Sequence, residues 1–366
     1  MATTMRAARA EGGTAAGAAA TTTEAAPRKR YLILAEGFSG DPHHGKTARG
    51  LVRYRGEDVV AVVDSTRAGE TMEGKPIVGS VEDALGLGPT TAVVGVATSG
   101  GRFPPAWREL LRQCIGAGLD VESGLHEFLG DDPELTALAA RHGVELRDLR
   151  RPPAGLNVPT GENLRVPARI VATVGSDCAI GKKTVALELD LEARRRGLRS
   201  AFVPTGQTGI LIAGWGIAVD AVVADFLAGA AERLVVEGWR RGGEDLLVVE
   251  GQGSLVHPDY SGVTMGLLHG SVPHVLVLCH LAGATHIDDR PEHPIPPLPE
   301  LIELYERSTL PARPARVAAI ALNTARLDED AARAAIAAAE AETGCPADDP
   351  VRFGAARIVD AVAEPS

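Results

Sequence analysis

Short continuous apolar runs alternate along this chain with stretches whose apolar positions recur at helical spacing. Residues 31–35 (YLILA), 59–64 (VVAVVD) and 91–96 (TAVVGV) read as buried strands, with 119–122 as a further short one. A helix is expected around 46–54. Residues 104–117 place Trp107, Leu110, Leu111 and Cys114 at helical spacing and stop at Gly118, and 134–142 repeat that signal. The second half continues the pattern, with strands expected at 169–174 (RIVATV), 199–203, 245–250, 274–279 and 316–322, a helix over 185–196, and another over 328–343 ended by Gly344. Strands that alternate with helices imply parallel sheets covered on both faces. The expected class is α/β: a Rossmann-like N-terminal domain and a parallel-sheet C-terminal domain built on a phosphate loop (P-loop). Pro152, Pro153, Pro159 and Pro167 mark the connection between them. The boundaries expected are a disordered tail at 1–29, the first domain at 30–150, a linker at 151–168 and the second domain at 169–366. Residues 290–299 (RPEHPIPPLP) are too proline-rich for an element interior and read as a loop over the site or an interface arm.

Composition narrows the partners. The chain has 366 residues, is 45% hydrophobic and 23% charged, and carries a formal net charge of −11. That is ordinary globular chemistry, and the negative balance argues against a nucleic-acid partner. No apolar run reaches the roughly 18 residues of a membrane helix, so no membrane is expected. The tail lacks the apolar block of a signal peptide. Cys114, Cys178, Cys279 and Cys345 form no C-x-x-C pair, which predicts free thiols, no zinc site and a cytoplasmic location. A homo-oligomer acting on a small molecule is expected.

Residues 171–184 read VATVGSDCAIGKKT: a strand, a glycine-bounded loop and a helix start. Such a loop turns backbone N–H groups toward an anion, and Lys182 adds a point charge directly after Gly181. The run departs from G-x-x-x-x-G-K-[ST] in two ways. Gly175 lies one residue too far upstream, and Lys183 stands where a hydroxyl would bind Mg²⁺, with Thr184 one step later. A loop that cleaves phosphate needs that hydroxyl; a second cation keeps the grip and weakens the metal site. The loop thus suits a diphosphate that is held uncleaved, as in coenzyme A. A shifted Thr184 serving Mg²⁺ and ATP is the other reading.

Three further segments are expected to converge there, since ligands of open α/β sheets sit at the carboxyl ends of the strands. In the first, Gly206, Gln207 and Thr208 follow the 199–203 strand and are either a tight turn or a close backbone approach to a ligand. In the second, Glu250 ends an apolar strand and is followed by Gly251, Gln252, Gly253 and then His257. Glu250 reads as a general base, a metal-supporting acid or a salt-bridge partner of Lys182. The third holds His280, His286, Asp288, Asp289, Arg290 and His293. Its spacing fits no zinc pattern, no metal is expected, and Arg290 reads as a carboxylate clamp. Asp220 and Asp225 lie in an apolar run, as core groups or as site residues. Glu36–Gly40 is only a G-x-x-G turn, a poor basis for NAD.

The runs GSDCAIGKKT, PTGQTGILIAGWGIAVDAVVADFLAGAAE and VVEGQGSLVHPDYSGVTMGLLHGSVPHVLVLCH resemble a bacterial family long labelled as of unknown function, with a Rossmann-like half and a P-loop half. The resemblance spans nearly all of residues 31–322. Its members include a D-glutamate N-acetyltransferase that uses acetyl-CoA in D-amino-acid breakdown beside a racemising or epimerising enzyme. More distantly, 175–182 and 249–253 resemble dethiobiotin synthetase, which uses ATP. The resemblance implies acetyl transfer to D-glutamate. Gly175, Asp177, Gly181, Lys182, Lys183, Thr184, Gly206, Gln207, Thr208 and Gln252 would then hold the cofactor. Glu250, or else His257 or Asp225, would take the ammonium proton, Arg290 would pair with a carboxylate, and amides at 206–208 or 251–253 would stabilise the oxyanion. The alternatives are an ATP- and Mg-dependent kinase or ligase and a nucleotide-binding module without chemistry.

Overall fold

The structure, a computed structural model, describes residues 28–41, 44–97 and 101–363. The tail expected at 1–29 falls outside these except for Arg28 and Lys29. Arg28 pairs with Glu57 and Asp58, and Lys29 with Glu122, so residues of the first domain hold the chain from Arg28 onward.

The first sheet is built from β1 (Tyr31–Leu34), α1 (Lys46–Arg55), β2 (Val59–Val63), β3 (Thr71–Met72), β4 (Lys75–Val78), α2 (Val81–Leu85), β5 (Thr91–Val94), α3 (Trp107–Gly116), β6 (Asp120–Ser123), α4 (Pro133–His142) and β7 (Leu146–Asp148). Its strand order is β3-β4-β2-β1-β5-β6-β7, parallel apart from the β3–β4 hairpin. Every residue of β1 and β5 is buried, which is why these strands read as unbroken apolar runs. The hairpin, α2 and β7 carry half-exposed or polar residues and show no such run.

The second sheet follows with β8 (Arg169–Gly175), α5 (Lys182–Arg195), β9 (Ser200–Val203), α6 (Gln207–Ala213), α7 (Ala224–Arg240), β10 (Leu246–Val249), α8 (Ser261–Ser271), β11 (Val275–Leu281), β12 (His286–Ile287), β13 (Arg290–Pro294), α9 (Leu298–Arg307), β14 (Arg316–Asn323), α10 (Glu329–Thr343), β15 (Ala347–Asp348) and α11 (Ala356–Ala363). The order is β15-β14-β11-β8-β10-β9, all parallel. One apolar core joins the sheet to α7, α8, α9 and α10, and another joins it to α5 and α11. β8 is central, between β11 and β10, and opens the crevice where ligands of such sheets bind.

Three expectations change. Residues 206–209 are not a tight turn: Gly206 caps α6, too short and too glycine-rich to show a helical pattern. The 290–299 stretch is not a plain loop. Its first part pairs with β12 as a small antiparallel hairpin, where proline's missing N–H is tolerated because the strand has a free edge. The helix over 185–196 starts earlier, at Lys182.

The two domains meet along one face of α1. Thr47 and Thr208 share a buried hydroxyl–hydroxyl hydrogen bond of 2.9 Å. Tyr54 Oη and Arg53 donate to Glu188 at 2.7 and 2.9 Å, and Arg55 donates to Leu211 O at 3.2 Å. Ile210 and Leu211 of α6 belong to the apolar core of the first domain. Gly124, directly after β6, lies on Gln207, directly ahead of which β9 ends its loop. A Cβ at 124 would stand 1.9 Å from Gln207 Oε1, so only glycine lets the two carboxyl edges touch.

Tyr305 ties α9 to the start of the phosphate loop. It is fully buried; its Oη donates to Gly175 O at 2.6 Å and accepts from Leu255 N at 3.1 Å. Tyr305→Phe leaves a buried carbonyl and a half-buried N–H without their partner, and is expected to lower stability by about 1–3 kcal/mol in urea unfolding.

Candidate active site

The loop between β8 and α5 is held from several sides. Its backbone turns through two left-handed residues, Ala179 (φ 54°) and Gly181 (φ 118°). That conformation is free for glycine and strained for alanine, so the neighbours must enforce it. Ser176 N–H donates to Cys279 O at 3.0 Å, Asn323 Nδ2 donates to Ile180 O at 3.1 Å, and His280 Nδ1 meets Ser176 Oγ at 2.8 Å. Lys182 is buried, and its Nζ crosses the loop to donate to Asp177 O at 2.5 Å. Burial lowers its pKa.

Lys183 and Thr184 diverge from there. A Cβ on Gly50 of α1 would stand 2.9 Å from Lys183 Nζ, which places that ammonium at the domain junction. Burial brings it down to about 8, opposed by Glu250 and reinforced by Lys46. Thr184 instead lines a cavity of about 410 Å³ with Gly181, Asn323, Asp349 and Arg352. The position that holds the metal-binding hydroxyl in other P-loops is therefore filled by a cation committed to the other domain.

Glu250 directly follows β10 and is 3% exposed. Its Oε2 accepts from Thr205 N at 2.8 Å and Gly206 N at 3.0 Å. Its main-chain oxygen accepts from Thr205 Oγ1 at 2.7 Å. Burial raises the carboxyl to about 7, although the Thr205 and Gly206 amides and the charges of Lys183 and Arg150 favour the anion. A Cβ on Gly209 would stand 2.3 Å from Oε2, so α6 can approach only as glycine there. Gln252 Nε2 donates to Thr205 Oγ1 at 3.2 Å. Gln207 is 6% exposed, and its Oε1 has no hydrogen-bond partner among the described residues. Of the amides expected as oxyanion donors, Gly206 N–H is taken by Glu250 and Gly251 N–H by Thr173 Oγ1 at 2.9 Å.

Two cations come from outside the motifs. Arg150, in the segment between the domains, donates through Nε to Gly124 O at 2.6 Å and pairs with Asp220 through Nη1. Burial lowers it to about 10, with Glu250 opposing. Lys46 opens α1 and is exposed, and its pKa is lowered by the protein around its stem and by Arg150 and Lys182, against Cys178. Neither sits in a recognisable motif; four prolines beside Arg150 were the only sequence signal.

Other expected residues stand differently. Asp225 is exposed in the first turn of α7, where a carboxylate suits the helix dipole; Asp220 is the acid of that run that enters the junction. Arg290 is 40% exposed at its side chain, pairs with Asp259 at 2.6 Å and donates to Asp289 O at 2.7 Å. Its fork is thus engaged with the protein itself. Asp288 N–H donates to Asp177 Oδ2 at 2.9 Å, which docks the hairpin on the loop. His257 is buried, accepts from Asp259 N–H through Nδ1 at 3.1 Å and sets Nε2 3.9 Å from Asp177 Oδ1. Asp177, Cys178 and His257 offer ligand atoms within 4.8 Å of one another. With Nδ1 accepting, the neutral ring keeps its proton on Nε2. That tautomer makes Nε2 neither a metal ligand nor a base, because a ligating histidine donates from its other nitrogen. Among the described residues no helix is long and apolar enough to cross a membrane.

Residues 157–359 match the family described as "Domain of unknown function (DUF1611_C) P-loop domain", and residues 57–152 match its Rossmann-like N-terminal domain. A solved DUF1611 family protein from Anabaena variabilis is 45% identical, with a TM-score of 0.85 over 91% of this chain and 99% of that one. A protein of Tritonibacter scottomollicae named D-glutamate N-acetyltransferase is 37% identical over 91% of this chain and 98% of its own length. Another of that name, from Pseudoalteromonas sp, is 39% identical over 57% of this chain and 61% of its own.

A carboxyl held near 7 when folded and 4.5 when unfolded binds more protons in the native state between those values. Stability therefore falls as pH rises from about 4.5 to 7 and is flat above. Glu250→Gln removes this dependence. The variant is expected to gain on the parent by about 3 kcal/mol between pH 4.5 and 8 in urea unfolding.

Proposed function

The chain belongs to the DUF1611 family, and from that membership we propose that it is an N-acetyltransferase that moves the acetyl group of acetyl-CoA to the amino group of an acidic D-amino acid, D-glutamate. The observation that carries the reading is Glu250: a buried carboxyl poised near neutral pH, beside a phosphate loop that has a second lysine in place of the metal-binding hydroxyl. A transferase of this kind needs a base and a held diphosphate, and it needs no phosphate cleavage.

Lys182 and the loop amides grip the coenzyme diphosphate, with Lys182 exchanging the Asp177 carbonyl for phosphate oxygen. The cavity beside Thr184, Asn323 and Asp349 takes the adenosine end. The thioester then reaches the carboxyl edge of β10. Both backbone bonds to the Glu250 carboxyl go to Oε2, so Oε1 takes a proton from the substrate ammonium. The freed amine attacks the thioester carbonyl, the C–N bond forms, and the C–S bond breaks as the second amine proton passes to the departing sulfur. The products are the N-acetyl amino acid and a free thiol, with one proton left on Glu250 for solvent. The names of the two curated relatives support the choice of acceptor.

Incubation with acetyl-CoA and D-glutamate is expected to release thiol, measured with a chromogenic disulfide, at a rate unchanged by EDTA. The rate should rise with pH to a plateau, with an apparent pKa near 7. Lys182→Ala is expected to raise the KM for acetyl-CoA at least tenfold. Absence of thiol release across a panel of D- and L-amino acids, or Mg-dependent ATP turnover abolished by Lys182→Ala, would overturn the reading.

A further inference from the structure

Lys46, Lys183 and Arg150 converge on the junction from α1, the loop helix and the interdomain segment. Lys46 lies one helical turn before Gly50, on the face that meets Lys183 and Thr208. Lys46 depresses Lys183, Arg150 and Lys182 depress Lys46, and Arg150 and Lys183 both act on Glu250. Their negative counterparts are few. Asp220 is taken by Arg150, and Glu250 is half neutral at pH 7. Among the described residues Lys29 is the only lysine in an ion pair, so Lys46 and Lys183 have no carboxylate of their own.

We propose that this junction is a dicarboxylate site, in which Lys46 of the N-terminal domain, backed by Lys183 and Arg150, binds the side-chain carboxylate of the acceptor opposite Glu250. This rests on the transferase reading for its substrate and makes the first domain part of the binding site. With Lys182 assigned to the diphosphate, Lys46, Lys183 and Arg150 outnumber Asp220 and Glu250, the carboxylates beside them, and the positive excess suits an acidic acceptor. Arg290, already paired with Asp259, is not needed.

The test uses glutarate, a dicarboxylate without an amino group, titrated calorimetrically into the full chain with and without coenzyme A. Glutarate is expected to bind the parent, and Lys46→Ala to weaken it about tenfold or more, with Lys46→Arg restoring most of the loss. In kinetics Lys46→Ala should raise the KM for D-glutamate by a similar factor and leave the KM for acetyl-CoA and the melting temperature unchanged. It should also erase the preference for D-glutamate over D-norvaline, an uncharged side chain of similar length. Glutarate binding that depends on Lys46 without any thiol release keeps the site and discards the transferase. Thiol release with a KM for D-glutamate indifferent to Lys46, or no glutarate binding to the parent, overturns the site.

Discussion

Burying several cations around one carboxylate is the constraint on which the rest of this structure turns. A charge removed from water must be paired, hydrogen-bonded or neutralised. Here Arg150 is paired with Asp220, and Lys182 is hydrogen-bonded by its own loop. Lys183 and Glu250 are left near neutrality, at about 8 and about 7. Two groups of opposite sign that both titrate close to physiological pH can exchange protons with a substrate at little cost, which is the condition for general base catalysis. The same electrostatic demand binds the domains together. Neither sheet alone would enclose this cluster, since α1 and the 149–168 segment supply one wall and the loops after β8, β9 and β10 supply the other.

The departures of the loop from other P-loops follow from that arrangement. Where phosphate is cleaved, the residue after the lysine must offer a hydroxyl to the metal. In this chain that residue reaches across to Gly50, and the threonine after it turns to the cavity near Asn323 and Asp349. The loop keeps its anion-binding backbone and gives its second side chain to the other domain. Glu250 shows the same redirection. At a strand end where an acid could support a metal, both of its bonds come from the Thr205–Gly206 backbone.

Much of the fold was legible because buried parallel strands are written as unbroken apolar runs. β1, β2, β5, β8, β10, β11 and β14 all lie within a residue or two of the runs that announced them. The phosphate loop was legible because its glycines and lysine are adjacent in sequence. α6 and the β12–β13 hairpin were not, since a short glycine-bearing helix and a proline-bearing edge strand are defined by what they pack on. The site divides along the same line. Glu250 and Lys182 belong to local motifs. Lys46 and Arg150 become site residues only when two domains dock, and no local pattern records that docking. Arg290 and Asp225 drew notice by their neighbours in sequence, yet one is spent on Asp259 and the other stands at an exposed helix start.

The glycines at the junction argue that close docking is a requirement of this chain and not a by-product of tail-to-head connection. Added Cβ atoms at Gly50, Gly124 and Gly209 would press on Lys183, Gln207 and Glu250 respectively. Each glycine thus sits against a different polar group of the same cleft, and each contact is shorter than a side chain permits. The first two belong to the N-terminal domain and the third to the C-terminal one. A fold that needed the first domain only for assembly would have no reason to thin its backbone at the points facing the second lysine and Gln207. That spacing sets how closely α1 and α6 approach, and with it how near the cations of one domain stand to the carboxyl of the other.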